Sequence, residues 1–285
     1  MKEFEEYMKL LKMDKTNATI VKYNHDIKVF LGFFEIKTVS DVEKLTLSDY
    51  KKLQMSLSER LSAVSVNGMF AVLKAFHKFL LENDYIQSTK ISLVKNLKVG
   101  KKAVRVINDN EFDGLLSCAT KDEKIMLLVM RYTGLRRTEM SRVKVSDIFD
   151  GKVLIHGKGN KDVLIPLHKE LLSKIENYLQ KRKHDSEYLL VGKATHEGIT
   201  AQAIYTRVKS IGKKAFKKGL ISKETLEFLS PHTIRKTFVT AIARTHGNQA
   251  AQEAARHATF STTKDCYIAN NPVLNANIFL HQERI

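Results

Sequence analysis

Apolar residues recur at three- and four-residue spacing through most of the first 90 positions. One stripe follows the stretch TNATIVKYNHDIKVFLGFF, and a second follows SAVSVNGMFAVLKAFHKFLLENDYI. Such spacing places the apolar side chains on one face of an amphipathic helix. Thr16 or Asn17 can cap the first helix, because short polar side chains accept hydrogen bonds from the free amides at a helix start. A helical unit of about four helices is therefore expected.

The pattern changes after residue 107, where helical stretches alternate with shorter β-rich ones. The segment DEKIMLLVMRYTG is strongly apolar and predicts a buried helix, whereas HKELLSKIENYLQKRK predicts an amphipathic one. Two β-rich runs flank the polar turn GKGNK in KVLIHGKGNKDVLIPL, an arrangement typical of a β-hairpin. The expected fold is mainly α with a small antiparallel sheet in the C-terminal domain, an α+β class.

The domain boundaries follow from the same change of pattern. Residues 1–94 form the expected helical domain, residues 95–106 a basic linker, and residues 107–285 a second domain. The second domain includes a tail helix that begins near residue 272, because apolar residues follow Pro272 at helical spacing.

Composition favours a globular protein of the cytoplasm. Of the 285 residues, 43% are hydrophobic and 28% are charged, and no apolar run approaches the roughly 20 residues of a membrane span. The charged N-terminus lacks the apolar core of a signal peptide. Cys118 and Cys266 show no CxxC spacing, so neither a disulfide framework nor a zinc site is expected.

The excess of basic residues indicates a polyanionic partner. The formal net charge is +17, and such a balance most simply indicates nucleic acid. Residues 1–100 hold 16 Lys or Arg against 12 Asp or Glu, which leaves 32 against 19 in the rest of the chain. The second domain therefore carries most of the positive field. A surface that serves only solubility is the alternative.

Two basic segments are candidate DNA-binding elements. The linker suits a segment that lies along phosphates, and an ordinary solvated hinge is its alternative. The helix TAQAIYTRVKSIGKKAFKKG has an apolar face and a basic outward face that can enter a major groove, or can simply be solvated. The candidate residues in the two segments are Lys98, Lys101, Lys102, Arg105, Arg207, Lys213 and Lys214.

Two short stretches in the middle of the chain hold residues suited to phosphate chemistry. In TGLRRTEM, Arg136 can grip two phosphate oxygens with its planar fork of donors. Glu139, three residues later, can share its helix face and orient it. In the turn GKGNK, Lys158 can reach into a groove and act as a general acid toward a leaving alkoxide. A helix end, a solvated glutamate and a polar turn are the alternatives.

Two further stretches lie closer to the C-terminus. In LSPHTIRKTFVTAIA, Ser230 can cap a helix on which His232 and Arg235 share a face near the start, where free amides attract anions. In RHATFSTTKDCY, His257 precedes Tyr267 by ten residues. Surface polar residues on a capped helix and a half-exposed tyrosine are the alternatives here.

The order of these residues resembles the tyrosine recombinase family. The family's residues occur here in the same order: an arginine, a hairpin lysine, His-x-x-Arg, a second histidine and a tyrosine. The match lies in four stretches, TGLRRTEM, GKGNKDVLIPL, SPHTIRKTFVT and RHATFSTTKDCY. The resemblance implies a two-domain clamp around DNA. Its parts would be a helical N-terminal core-binding domain and a tyrosine-recombinase catalytic domain.

The resemblance also implies chemical roles. Tyr267 would be the nucleophile that forms a covalent 3′-phosphotyrosine, and Lys158 would protonate the leaving 5′-oxygen. His232 would act as acid and base near the tyrosine, and His257 would donate a hydrogen bond to the phosphate. No cofactor and no metal are expected.

Arginines complete the implied site and also depart from the family's pattern. Arg136 and Arg235 would bind the nonbridging oxygens and stabilise the charge that grows on them in the transition state. Arg256 stands where the family usually has glycine, so the turn before the histidine is expected to differ. Arg137 stands where the family is often apolar, and a structural role or a contact with the DNA backbone is open to it.

The expected function is site-specific recombination, in the resolution or integration of a mobile element. A compact chain with no added domain at its front favours a resolvase-like or Xer-like role. The implied partner is double-stranded DNA with an inverted-repeat core site, bound by two protomers and joined by four in the synapse through the C-terminal tail. Accessory DNA-bending proteins are further candidates, and no membrane is involved. A type IB topoisomerase and a non-catalytic DNA-binding regulator are the alternative functions.

Overall fold

The computed structural model describes residues 1–100, 104–156, 162–192 and 197–256. The chain divides into two compact units, Met1–Lys102 and Ala103–Ile285. Some residues singled out from the sequence lie outside the described residues, namely Lys101, Lys102, Lys158, His257 and Tyr267. The tail helix expected near residue 272 lies outside them as well.

The first unit is built from helices. They are α1 Lys2–Asp14, α2 Asn17–Phe33, α3 Val39–Glu43, α4 Leu47–Ser58 and α5 Ala63–Glu82, followed by a 3-10 turn, Ile91–Leu93. The apolar pattern predicts four helices, and the structure adds the five-residue α3, which is too short for an apolar period to show. Thr38 and Asp41 define this short helix instead, because their side chains and amides form a capping box.

Helix α5 lies at the centre of this unit. The residues of its predicted stripe are buried, with Val66, Leu73, Phe76 and Leu80 wholly inaccessible to solvent. The helix is long and apolar enough to cross a membrane by length and composition, but half of the relevant stretch is buried within the fold. Its composition is therefore that of a core helix.

One polar pair is enclosed in the same core. The Tyr50 hydroxyl lies 2.9 Å from Nε2 of His77, and Nδ1 of that ring lies 2.7 Å from the carbonyl oxygen of Leu73. Burial lowers the pKa of His77 to about 4, because a charged imidazole cannot be solvated there. The neutral ring is therefore the form that the fold accommodates.

The second unit combines helices with one small sheet. Its elements in chain order are α6 Asp109–Ser117, α7 Lys121–Thr133, α8 Arg137–Met140, β1 Ile148–Phe149, β2 Lys152–His156, β3 Asp162–Pro166, α9 Lys169–Lys181, α10 Ala201–Lys217, α11 Lys223–Phe228 and α12 Pro231–Ala255. The expected class, mainly α with a small antiparallel sheet, is confirmed.

The sheet has the order β1-β2-β3, with each neighbouring pair antiparallel. The predicted hairpin is the β2–β3 pair, in which His156 lies opposite Asp162 at the end next to the connection between the two strands. Val153, Ile155 and Ile165 are buried, so one face of the sheet joins the core. Alternation of buried and exposed residues along β2 fixes which side chains face inward.

Helices α7 and α12 form the centre of the second unit. Helix α7 is buried along most of its length, as its apolar sequence predicts. Helix α12 is broken at Gly247, where φ is 83° and ψ is 177°. Residues on both sides of the break, Phe238 and Ile242 before it and Ala251 and Ala255 after it, share one buried cluster. The break thus returns the end of α12 toward its beginning.

Candidate active site

A glycine turn at the end of α7 begins the site. Gly134 caps the helix in the left-handed conformation with φ of 61°, and its amide donates to the carbonyl oxygen of Met130 at 3.1 Å. A Cβ atom on this residue would lie 2.3 Å from Cδ1 of Phe238. Only glycine suits both the dihedral angle and the space, so α7 and α12 approach closely at this point.

Arg136 follows the turn and is bound by Glu139. Its amide donates to one carboxylate oxygen of Glu139 at 2.7 Å, and its Nη1 donates to the other at 2.6 Å. The pairing across three positions agrees with the spacing seen in the sequence. The Arg136 side chain remains 41% exposed, so part of it is accessible to a ligand.

Arg235 reaches the same place from α12. It lies near the start of that helix, which Ser230 caps and Pro231 begins. Its guanidinium donates to the carbonyl oxygens of Gly134 and Ala255 and lies 3.9 Å from a carboxylate oxygen of Glu139. Arg235 is only 3% exposed, so it joins the glycine turn to the end of its own helix.

A third arginine, which the sequence motifs do not assign to the site, completes this group. Nη2 of Arg256 donates to Glu139 at 2.8 Å and to the carbonyl oxygen of Gly134 at 3.2 Å, and Nη1 donates to that of Thr133 at 3.2 Å. Arg136 in turn donates to the carbonyl oxygen of Arg256 at 3.2 Å. The sequence indicates this residue only as an arginine where glycine was expected.

The backbone at Arg256 has the conformation that glycine favours. It caps α12 with φ of 50° and ψ of 44°, within the left-handed region. The turn was expected to differ from the family's pattern at this residue, but its backbone conformation is one that glycine would also adopt. An arginine adopts a left-handed cap, and its side chain is held among buried polar groups.

Glu139 is the shared anion of the three arginines. Burial by itself would raise the pKa of this carboxyl, but the charges of Arg256 and Arg136 and the amide of Arg136 outweigh it and hold the pKa below its usual range. Burial lowers the pKa of Arg256, against the opposing effect of Glu139. The carboxylate is therefore ionised at neutral pH and offsets part of the positive charge.

His232 lies beside this group but differs from Arg235 in exposure. The sequence suggested one shared helix face, yet His232 is exposed whereas Arg235 is buried. Partial desolvation lowers the pKa of His232, and the charges of Lys236, Arg235 and Arg136 lower it further. The imidazole is therefore biased toward its neutral form, which can accept a proton.

The end of β2, next to the connection to β3, adds a second histidine. Nδ1 of His156 lies 3.1 Å from Asp162, and Nε2 lies 3.6 Å from Asp147. The contact with Asp162 raises the pKa of His156. Lys158 belongs to the five residues between these two strands, which lie outside the described part of the chain.

The remaining DNA-binding candidates occupy different settings. Lys98, Lys213 and Lys214 are exposed. Arg105 lies 3.6 Å from a carboxylate oxygen of Glu224. Arg207 was expected on the outward face of α10, but its Nη2 donates to the carbonyl oxygen of Val191 at 2.9 Å, because the long side chain turns back onto the fold.

Within residues 1–100, 104–156, 162–192 and 197–256, no three His, Cys, Asp or Glu side chains lie together as a metal site would require. The described cluster is instead one of donors, in which arginine N–H groups surround a single carboxylate. Such a cluster can bind and polarise a phosphate group.

Two protein families match the chain. The Phage integrase family covers residues 101–273, and the Phage integrase N-terminal SAM-like domain covers residues 4–84. The first match spans the described arginine cluster and all the motif residues from Arg136 to Tyr267. The second spans α1 to α5.

Characterised relatives match over almost their whole length. Tyrosine recombinase XerA of Pyrococcus horikoshii is 31% identical over 271 residues, which cover 93% of this chain and 87% of the relative. Tyrosine recombinase XerD of Staphylococcus saprophyticus is 25% identical over 277 residues and is covered to 91%, as is this chain.

Solved structures share the fold. A lambda integrase (75–356) dimer bound to a COC′ core site has a TM-score of 0.73 at 17% identity, with 96% of this chain and 98% of that chain covered. XerH site-specific recombinase bound to a palindromic difH substrate has a TM-score of 0.72 at 19% identity, with 92% and 79% covered.

Proposed function

The chain belongs to the phage integrase family and is a site-specific tyrosine recombinase, and we propose that its described arginine cluster binds the DNA phosphate that is cut. The observation that carries this proposal is the position of Arg136. Its guanidinium donates to Glu139 at 2.6 Å, yet the Arg136 side chain as a whole stays 41% exposed. A fixed, exposed fork of N–H donors is the arrangement that binds two oxygens of one phosphate.

The proposed reaction transfers the phosphoryl group at the cut site from the 5′-oxygen of DNA to the oxygen of Tyr267. The tyrosine oxygen attacks phosphorus, the bond from phosphorus to the 5′-oxygen breaks, and a 3′-phosphotyrosine and a free 5′-hydroxyl result. Arg136 and Arg235 stabilise the charge that develops on the nonbridging oxygens. The reverse attack by a 5′-hydroxyl rejoins the strand and releases the tyrosine.

Proton transfers accompany these two bond changes. His232 accepts the tyrosine proton, a role supported by the lowered pKa that favours its neutral ring. Lys158 gives a proton to the leaving 5′-oxygen, and His257 donates a hydrogen bond to the phosphate. Glu139 orients Arg136.

Both parts of the chain contribute to DNA binding in this proposal. Residues 1–94 act as a core-binding domain, residues 95–106 as a basic linker along phosphates, and residues 107–285 as the catalytic domain. Exposed lysines, among them Lys98, Lys213 and Lys214, contact the backbone. The net charge of +17 supports a polyanionic partner.

The proposed assembly follows that of the similar structures. Lambda integrase has been solved as a dimer on a core site and as a tetramer on a Holliday junction, and XerH on a palindromic substrate. We propose that this chain likewise binds an inverted-repeat site as a dimer and recombines as a tetramer through the tail from about residue 272. It acts on DNA in the cytoplasm, with accessory DNA-bending proteins as candidate partners.

The biological role proposed is the resolution or integration of a mobile element. Similarity to tyrosine recombinases XerA and XerD over most of their length supports an Xer-like role. The Tn1549 transposon integrase shares the fold at a TM-score of 0.69 and 18% identity, which keeps integration within the same proposal.

The test uses DNA that the protein itself selects. Duplexes retained by the wild type are recovered from a random-sequence pool, a nick is placed near the centre of the selected site, and covalent protein–DNA adducts are measured on denaturing gels. The wild type should form adducts, Tyr267→Phe should form none, and Tyr205→Phe should match the wild type. Equal trapping by Tyr267→Phe would refute the nucleophile, and no trapping by the wild type would refute the enzymatic proposal.

A further inference from the structure

Arg256 is the last described residue before His257, and it joins the end of α12 to the turn after α7. It both donates hydrogen bonds to that turn and accepts one from it. Its side chain donates to Thr133 and Gly134 at the end of α7, at 3.2 Å each. Its own carbonyl oxygen accepts a hydrogen bond from Arg136 at 3.2 Å. The end of α12 and the turn after α7 are thus joined by reciprocal arginine–carbonyl bonds.

Arg235 strengthens the same junction. It donates to the carbonyl oxygen of Ala255, the residue before Arg256, and to that of Gly134. The carbonyl oxygen of Gly134 therefore accepts from two guanidinium groups. Because charge-assisted hydrogen bonds in a buried setting are strong and directional, this junction fixes where the chain leaves α12.

A role as a simple helix cap would not require an arginine. The residue has φ of 50°, a conformation that costs an ordinary side chain energy and costs glycine little. Glycine would therefore be the better residue if only the backbone mattered. The arginine is 12% exposed and pairs with Glu139 at 2.8 Å, so its side chain compensates for the strained backbone.

We propose that Arg256 is a positioning residue of the recombination site. Its guanidinium ties the end of α12 to the Gly134 turn and, through Glu139, holds Arg136 in the orientation that binds phosphate. The expected effect of Arg256 on cleavage rests on the proposed function. Its expected effect on the structure rests only on the described contacts.

The charges around Glu139 define what the loss of Arg256 changes. Arg136 and Arg235 remain close to the carboxylate, and Arg142, Asp147 and His156 line a small cavity with it. Removal of Arg256 takes away the largest of the neighbouring charges that lower the pKa of Glu139. The pKa of Glu139 then rises, and Arg136 loses its anionic partner at a higher pH than in the wild type.

Three substitutions at this position separate the side chain from the backbone. Arg256→Gly relieves the dihedral strain and removes the guanidinium, Arg256→Met removes the charge while keeping the length, and Arg256→Lys keeps the charge without the planar fork. Glu35→Gly is the matched control, because Glu35 is an exposed residue of the first unit with φ of 51°. It relieves the same type of strain far from the chemistry in sequence.

The first measurement is single-turnover cleavage of the nicked, selected duplex, together with binding of the intact duplex. Arg256→Gly and Arg256→Met should slow adduct formation about tenfold or more, the scale seen when groups that orient a ligand are lost. Binding should stay close to wild type, and Arg256→Lys should recover part of the rate. Wild-type cleavage by Arg256→Gly would overturn the inference.

The second measurement needs no DNA and is amide hydrogen exchange of the folded protein. In Arg256→Gly, exchange should rise across residues 136–140, because Glu139 then holds the Arg136 amide less firmly, and Glu35→Gly should leave that segment unchanged. Unchanged exchange there would overturn the inference even if cleavage fell. If the wild type forms no adduct at all, the proposed function fails, and the exchange result alone decides the role of Arg256.

Discussion

Glu139 holds Arg136 at two points: the guanidinium donates to one carboxylate oxygen at 2.6 Å and the backbone amide donates to the other at 2.7 Å. The two bonds fix both the side chain and the turn from which it extends. An arginine whose side chain was free in the unbound protein would lose rotamer entropy on binding phosphate. Here that cost has already been met in the folded protein, so Glu139 is a direct target for testing the site.

We expect Glu139→Gln to slow strand cleavage about 10- to 100-fold, by analogy with the loss of groups that orient the side chains of metal sites. The glutamine side chain keeps the shape of Glu139, but it has one uncharged oxygen where the carboxylate has two charged oxygens that accept from Arg136. Adduct formation on the nicked duplex measures the effect. Glu123→Gln is the control, because Glu123 is also buried in the second unit but caps α7 through Thr120. Equal cleavage rates in both variants would contradict an orienting role.

Gly134→Ala should destabilise the protein more than Gly151→Ala. Both glycines have positive φ, 61° and 70°, but a Cβ at Gly134 meets the Phe238 ring at 2.3 Å whereas nothing lies within 4 Å at Gly151. The dihedral strain alone costs about 1–2 kcal/mol, and the clash adds about 1–3 kcal/mol. Urea unfolding monitored by circular dichroism compares the two. A similar loss in both variants would show that the close approach of α7 and α12 is not required.

Arg235→Met should lower the free energy of unfolding by about 1–3 kcal/mol, because the buried carbonyl oxygen of Ala255 loses the donor from Arg235 while that of Gly134 keeps only Arg256. Arg235 donates to Gly134 and Ala255 and is 3% exposed. Arg235→Lys keeps a charge but cannot span both carbonyls, so it should recover only part of the stability. Chemical unfolding checks the order of the three proteins. A stability of Arg235→Met equal to wild type would contradict the described junction.

His77 should make the protein lose stability in mild acid. Its folded-state pKa is about 4, whereas an unfolded histidine titrates near 6.5. The unfolded state therefore binds a proton first, so stability is fully present above about pH 6.5 and falls as the pH drops toward 4, by up to about 3 kcal/mol. His77→Gln should flatten this dependence when unfolding is followed across the range. An equally steep decline in the variant would assign the acid effect to other groups.

The local features of the fold were predictable from the sequence because each rests on neighbouring residues. The α5 stripe follows from an apolar period of about 3.6 residues, and the β2–β3 hairpin follows from two β-rich runs around a polar turn. The three-residue spacing of Arg136 and Glu139 likewise indicated their pairing. Helix α3 escaped because five residues cannot display a period.

Contacts between distant residues were not accessible in the same way. Arg256 and Gly134 are 122 residues apart, and no local pattern reports that a guanidinium meets a carbonyl at that distance. The break at Gly247, which returns the end of α12 to its beginning, is equally invisible in a string of alanines and polar residues. Arg207 was expected on the basic, outward face of α10. Its side chain is long enough to turn back and donate to the carbonyl oxygen of Val191.

The last prediction concerns the charge that controls His232. Desolvation and the positive charges of Lys236, Arg235 and Arg136 lower its pKa, so Lys236→Gln should raise that pKa by removing one of these charges. NMR titration of the ring measures the change, and the effect should shrink as salt is added. Lys223→Gln, an exposed lysine on α11, should leave the titration unchanged.

The same variant connects the titration to the chemistry. If neutral His232 accepts the proton of Tyr267, a higher pKa means that the ring becomes neutral only at higher pH. The acid side of the pH–rate profile for cleavage should then move upward in Lys236→Gln by the amount that the NMR titration shows. A titration that moves while the profile stays in place would assign the acceptor role to another group.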